Sequence, residues 1–214
     1  MGRDMIRKLL KTMTVAFVLT GCHAVGVENP VPTGYLAVDF ICDSDDLTRA
    51  EDIDLSDFDV AISGPVELVS KCAALPEIIE LQPGHYTISV QSPGQQPAAF
   101  EQPIFGAMTD FEIKDGATTS VKLICTMLNM KVTVNPSPAF LSQVKTYEVK
   151  VSNGQGELIW TPEDVSQGRA GYFAVAPLDI TLTGLSLGDT PLSYDGLISD
   201  VEASDHHVIS FDSF

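Results

Sequence analysis

The sequence predicts an all-β protein made of two tandem antiparallel β-sandwich domains. Three observations predict it. Apolar residues alternate with period two through most of the chain after residue 33. Turn signals divide these runs at spacings of roughly 8–12 residues. No stretch of about 12 residues beyond the N-terminal leader carries a 3.6-residue apolar period. The composition agrees with a folded chain: of 214 residues, 44% are hydrophobic and 19% charged, which excludes wholesale disorder. A net charge of −17 removes any general attraction to nucleic acid or to anionic lipid, so no nucleic-acid partner is expected.

The leader comes first. Arg3, Arg7, Lys8 and Lys11 form a positive segment interrupted by Asp4, and Thr12 to Leu19 is a short apolar run. Such a run would rise only about 12 Å as a helix, against about 30 Å of hydrocarbon core, so residues 1–21 read as a signal peptide rather than a membrane span. Leu19-Thr20-Gly21-Cys22 resembles the lipobox of bacterial lipoproteins, with two small residues before a cysteine whose thiol takes up diacylglycerol. Lipidation is therefore expected at Cys22. The leader takes four basic and one acidic residue with it, so the mature chain is more acidic still. Residues 22–33, aperiodic and holding Pro30 and Pro32, read as a tether between lipid and fold.

The strands follow. Leu36, Val38 and Phe40 alternate with polar or small residues, as do Phe58, Val60 and Ile62. Leu81 leads through Pro83-Gly84, a type II turn signal, into Tyr86, Ile88 and Val90. Phe111 and Ile113 precede Asp115-Gly116, and Val121, Leu123 and Cys125 come after it. Tyr147, Val149 and Val151 run into Asn153-Gly154, then Leu158 and Trp160, then Phe173, Val175, Leu178, Ile180 and Leu182; Val208 and Ser210 close the chain. Ala139 to Val144 suggest a single helical turn. The register slips once. Val121, Leu123, Cys125 and Met127 are apolar at odd positions, whereas Leu128, Met130, Val132 and Val134 are apolar at even ones. A one-residue slip sends the next side chains to the opposite face, so one segment can serve two cores in succession. The expected domains are residues 34–127 and 128–214.

Chemistry-bearing motifs are scarce. His23, His85, His206 and His207 share no metal-ligand spacing, and an adjacent pair on a strand points to opposite faces. There is no Gly-x-Ser-x-Gly elbow, no His-Glu-x-x-His and no phosphate-binding glycine loop. The sequence thus assigns no catalytic residue, no cofactor and no metal. Acidic residues crowd Asp43 to Asp59; their density suits Ca²⁺, but the order of an EF-hand loop is missing and the stretch reads as a solvated loop. Cys125 continues the inward row of Val121 and Leu123 and reads as a buried free thiol, Cys42 ends the inward row of Leu36, Val38 and Phe40, and Cys72 falls in a loop. A Cys42–Cys72 bridge is one pairing that spacing alone does not select.

Several segments carry a family resemblance. They are Gly34-Tyr35-Leu36, Thr48-Arg49-Ala50, Asp57-Phe58-Asp59-Val60, the run Leu75-Pro76-Glu77-Ile78-Ile79-Glu80-Leu81-Gln82-Pro83-Gly84-His85-Tyr86-Thr87, Ala98-Ala99-Phe100, Asn129-Met130-Lys131-Val132-Thr133-Val134 and Gly171-Tyr172-Phe173. Across Gly34 to about Gly184 the chain resembles the fimbrillin-type lipoproteins, and within them a family of small lipoproteins known only as a domain of unknown function. These motifs are structural. The resemblance implies transthyretin-like sandwiches, an outer-membrane lipid anchor at the cell surface, and a role in pilus assembly or adhesion with other pilus subunits or surface receptors as partners. It also implies that an Arg-specific protease cuts in the loop after the first strand, here at Arg49–Ala50. The second domain is shorter than in full-length fimbrillins. The other function class the sequence allows is a surface glycan-binding module. It needs an exposed aromatic platform, for which Trp160, Tyr147, Tyr172 and Tyr194 are candidates; Trp160 and Tyr147 fit inward rows.

Overall fold

Alternating side chains become strands because one face of each can then be buried while the other stays in water. In the computed structural model, residues 31–42, 53–94 and 96–213 are described. The first half forms β1 (Gly34–Cys42), β2 (Asp59–Ser63), β3 (Leu68–Lys71), β4 (Ile79–Leu81), β5 (Gly84–Gln91), β6 (Ala98–Phe100), β7 (Phe105–Ile113) and β8 (Thr118–Met127). The second forms β9 (Met130–Val134), α1 (Pro138–Leu141), β10 (Val144–Ser152), β11 (Glu157–Trp160), α2 (Pro162–Ser166), β12 (Gly171–Phe173), β13 (Leu178–Ser186), β14 (Pro191–Ile198) and β15 (His206–Ile209). The all-β class read from the sequence is the observed one.

The strands make three sheets. The largest has the order β3-β2-β5-β7-β8-β1-β4. In the ladder its two halves are joined at Phe105↔Met127 and Gly106↔Thr126, and both halves send side chains into one core. Val60, Ile62, Ile88 and Val90 enter from one half, and Leu36, Leu81, Leu123 and Cys125 from the other. The remaining sheets, β11-β10-β13-β14 and β15-β9-β12-β6, enclose a second core of Met130, Val132, Phe140, Val149, Val151, Trp160, Phe173 and Leu178. From Pro32 onward the chain packs as one unit. Most pairings are antiparallel, as the hairpin signals predict, but β1–β8 and β9–β15 are parallel. Both join elements far apart in sequence, where no turn fixes direction.

The register slip is visible in the packing. Val121, Leu123, Cys125 and Met127 lie in the first core, and Met130, Val132 and Val134 in the second. Leu128 departs from its expected row, being 39% exposed, while Asn129 is buried in its place. The polar residue wins the inside position because it has partners there. Its side-chain oxygen accepts from the Ile104 N–H at 3.1 Å and its amide donates to the Gln102 carbonyl at 3.1 Å. The cores also exchange strands: β6, from the first half of the chain, pairs with β12, while Ala170 and Tyr172 pack into the first core.

Other expectations change in detail. The single helical turn is α1, capped by Ser137. In β15 the buried residue is Ile209 and Val208 is exposed, the reverse of the expected face. Gly84 opens β5 at φ +153°, outside the type II turn geometry that its Pro-Gly pair suggests. The glycine is required nonetheless: a Cβ there would lie 2.6 Å from Pro65 Cγ, and the backbone occupies a region that side chains avoid. Gly84→Val is expected to destabilise the fold by about 1–3 kcal/mol, read as a lowered Tm in thermal unfolding; an unchanged Tm would mean that the chain relaxes freely around Pro65.

Candidate functional site

β1 is the element that both the sequence and the fold single out. It lies between β8 and the three-residue β4, with eight parallel pairs to β8 and three antiparallel pairs to β4. Leu36 is fully buried, and Val38, Phe40 and Cys42 pack half-buried against the same core. Beyond Leu36 the side of β1 away from β8 has no paired strand among the described residues, so its C-terminal half is a sheet edge. Immediately after Cys42 comes the acidic stretch that the sequence reads as a loop. The leader, Cys22, most of the tether, and Arg49 with Ala50 lie outside the described residues, as do Asp43 to Asp52. At the loop's far end, Asp54 accepts from the Ser56 N–H at 2.9 Å, and this bond holds its carboxyl below the usual range.

The ladder sets Cys42 directly beside Cys125, with both side chains on the core face. Cys72 follows β3 in a short 3₁₀ turn, its N–H donating to the Phe58 carbonyl at 2.9 Å. Burial pushes the Cys125 thiol up to about 11, with the neighbouring Cys42 and Cys72 adding to the rise. Burial likewise raises Cys72. The strand pattern places each of Cys42 and Cys125 inward, but their adjacency is a long-range pairing that no local signal carries.

Arg169 is the second arginine after the leader, and the structure ties it down through both its side chain and its backbone. Its guanidinium lies 4.0 Å over the Phe100 ring and 2.8 Å from Asp164 Oδ1. Its carbonyl accepts from Trp160 Nε1 at 2.9 Å. The next residue, Ala170, is buried, donates to Glu101 Oε1 and accepts from the Glu101 N–H. The Arg169–Ala170 bond therefore runs into a buried residue tied to Glu101 beside the β12–β6 pairing. Asp164 also closes a capping box with Thr161 at the start of α2. Thr161-Pro-x-Asp is the local signal that could have revealed this helix.

The aromatic candidates separate cleanly. Trp160 is 0% exposed, edge-on to Phe100 and stacked near Phe173, and Tyr147 and Tyr172 are buried. Tyr194, 55% exposed on the edge strand β14, stands 5.9 Å from the Phe211 ring. With Phe140, Leu192, Ser193, Ser210 and Asp212 they line a groove of about 360 Å³ at the β14–β15 side of the second core. Among the described residues no three His, Cys, Asp or Glu side chains are placed to hold a metal ion.

Residues 39–213 match the profile of a family described as Domain of unknown function (DUF4493). The chain belongs to that family. No curated protein matches its sequence. Among solved structures it is similar to a DUF1812 protein from Bacteroides thetaiotaomicron, one of a set suggested to bind polysaccharide: 8% identity, TM-score 0.50, over 84% of this chain and 91% of that one. It is also similar to the tip fimbrial protein Mfa3 of Porphyromonas gingivalis, at 13% identity and TM-score 0.46 over 80% and 83% of the two chains. The fimbrial anchor protein Mfa2 of the same organism gives 11% identity and TM-score 0.43 over 80% and 99%. At such identities the likeness is one of fold.

In this DUF4493 chain the Asp164 cluster has a pH signature. The Thr161 hydroxyl first, then Arg169, holds the Asp164 carboxyl down at about 2 from an ordinary 3.8. A depressed carboxylate stabilises the fold above the unfolded-state pKa and ceases to as pH falls through the folded one. Asp164→Asn is expected to lower stability by about 1 kcal/mol at pH 7 and to lose that deficit between pH 4 and 2, measured by denaturant unfolding against pH. A deficit that persists at pH 2 would place the cost in packing instead.

Proposed function

We propose that this protein is a non-enzymatic, lipid-anchored surface protein of fimbrillin type that acts in pilus assembly or anchoring, or in cell adhesion, through strand-mediated contacts. In this reading it comprises two transthyretin-like sandwich modules, residues 34–127 and 128–214, each around its own core and packed as one unit. Cys22 carries the lipid that holds it on the outer membrane, and other pilus subunits or surface receptors are its partners. The observation that carries the reading is β1: a core-filling first strand, half of it a sheet edge among the described residues, with the acidic stretch bearing Arg49 next in the sequence. A cut at Arg49–Ala50 severs β1 from the rest of the chain. Each fully buried apolar side chain is worth roughly 1.5–3 kcal/mol, so the vacated seat of Leu36, Val38 and Phe40 is costly to leave open. A strand from another subunit can fill it by β-augmentation.

A second reading, a surface glycan-binding module, is favoured by one observation: the Tyr194–Phe211 pair lining a groove with serine and aspartate at its rim. Aromatic faces with a few polar groups suit a sugar ring. Loss of glycan-array binding in Tyr194→Ala, with assembly intact, would move the assignment there.

Two measurements test the main reading. Cys22→Ser is expected to shift the protein from carbonate-washed membranes to soluble fractions without unfolding it; continued membrane retention would remove the lipid anchor. In the presence of reductant, an Arg-specific protease is expected to cut purified protein at Arg49–Ala50 and to spare Arg169–Ala170, with a rise in size by light scattering. Cleavage at Arg49 with β1 retained and no oligomers even in reductant would leave an anchor or adhesin that is not activated by proteolysis.

A further inference from the structure

We infer that Cys42 and Cys125 join as a disulfide across the β1–β8 ladder, stapling the end of β1 to the sheet just before Arg49. The oxidising setting rests on the export proposed above, and the consequence for β1 release rests on the proposed cleavage. The pairing rests on register. Cys42↔Cys125 is the last pair of an eight-residue parallel ladder that also aligns Val38↔Val121 and Phe40↔Leu123. Paired residues on neighbouring strands sit about 4.7–4.9 Å apart, inside the window of about 4.4–6.8 Å that disulfides span between Cα atoms. Both side chains face the core, so the sulfurs lie on the same side of the sheet. Disulfides also want Cβ atoms about 3.5–4.5 Å apart. Cys42 is the last described residue of its strand.

Cys72 is the remaining thiol. Its backbone is fixed to Phe58, beside β2 in the other half of the sheet, so it reaches the pair from across the core rather than along the ladder. Spacing in the sequence makes Cys42–Cys72 an equal candidate; the register separates the two. The exchange balances with a disulfide-bearing oxidant, whether an oxidoreductase or a small molecule. The Cys42 thiolate attacks one oxidant sulfur and expels the other as a thiol. Cys125 then loses its proton, attacks the Cys42 sulfur and expels the second thiol. Two protons and two electrons leave the cysteines and reduce the oxidant's S–S bond. Cys42, half-buried, is the thiol that an oxidant reaches first, and the fully buried Cys125 attacks only in the second, intramolecular step.

The staple changes what proteolysis achieves. Cys42 lies upstream of Arg49, so a cut there leaves β1 covalently bound to β8. Release then requires reduction as well as cleavage, and the strand seat opens only when both have occurred.

The test starts from full-length protein taken from the cell envelope, with thiols alkylated before lysis. Trypsin sites at Arg49, Lys71, Lys114, Lys122 and Lys131 put Cys42, Cys72 and Cys125 on separate peptides. The expected result is a Cys42–Cys125 peptide pair lighter by two hydrogens, kept in Cys72→Ser and lost in Cys125→Ala, with Cys72 alkylated. A Cys72-linked pair, or all three cysteines alkylated, overturns the inference. Arg-specific cleavage followed by denaturing gels supplies the second arm. The N-terminal fragment is expected to stay attached without reductant and to separate with it. Separation without reductant overturns the staple, whereas failure to cut at Arg49 overturns the cleavage reading and leaves the mapped disulfide standing.

Discussion

One buried carboxamide governs how the chain passes between its two cores. Between Met127 and Met130 there are only two residues in which to turn the side chains from one core to the other. Asn129 makes this possible by satisfying the backbone of a neighbouring crossing. It accepts from Ile104 and donates to Gln102, in the segment that carries the chain from β6 back to β7. Ser204, in the loop before β15, adds its own ties, donating from its N–H to the Asn129 carbonyl and from its hydroxyl to the Met127 carbonyl. Three crossings thus share one knot. An apolar residue of similar size at 129 would leave the Ile104 N–H and the Gln102 carbonyl unpartnered, at about 1–3 kcal/mol for each buried group.

The same solution appears once more at the far end of the second core. Asn153 donates to the Pro97 and Ala174 carbonyls, both at 3.0 Å, and accepts from the Gln155 and Gly156 N–H groups. Those bonds fix the β10–β11 connection against the entry to β6 and the exit from β12. β6 is only three residues long and adds little ladder of its own, so its place in the second sheet depends on such side-chain ties and on Phe100 packing edge-on to Trp160. The two asparagines explain how a strand from the first half of the chain can settle in the sheet of the second.

What the sequence makes legible follows from what a local pattern can encode. Strands with one buried face, such as β5, β8, β10 and β13, announce themselves by alternation, and so does the change of face after Met127. β14 does not, because it is an edge strand with Tyr194 and Leu197 both in solvent and its residues alternate weakly. The parallel direction of β1 and β15 was hidden for a different reason: each pairs with a strand far away in sequence, and only turns, not side chains, encode direction. The candidate site shows the same division. The inward rows of β1 and β8 are readable one by one, whereas the contact between Cys42 and Cys125 exists only once both strands are laid side by side.

The geometry of β1 also restricts what can replace it. β1 itself runs parallel to β8 over eight pairs, while β4 offers only three pairs on the other side. A substitute must place apolar side chains at every second position to meet the core that Leu36, Val38 and Phe40 now fill. It also meets a floor whose residues opposite Val38 and Phe40 are Val121 and Leu123, which favours branched or aromatic side chains there over long charged ones. At the last position a foreign strand without cysteine cannot form the covalent tie that we infer for Cys42 and Cys125. An intramolecular β1 would therefore be both pre-positioned by the chain and chemically locked, whereas an incoming strand would rely on packing and backbone pairing alone. Exchange of one for the other is favoured only when the lock is open, which makes the redox state of two core cysteines, rather than the strand's own sequence, the deciding variable.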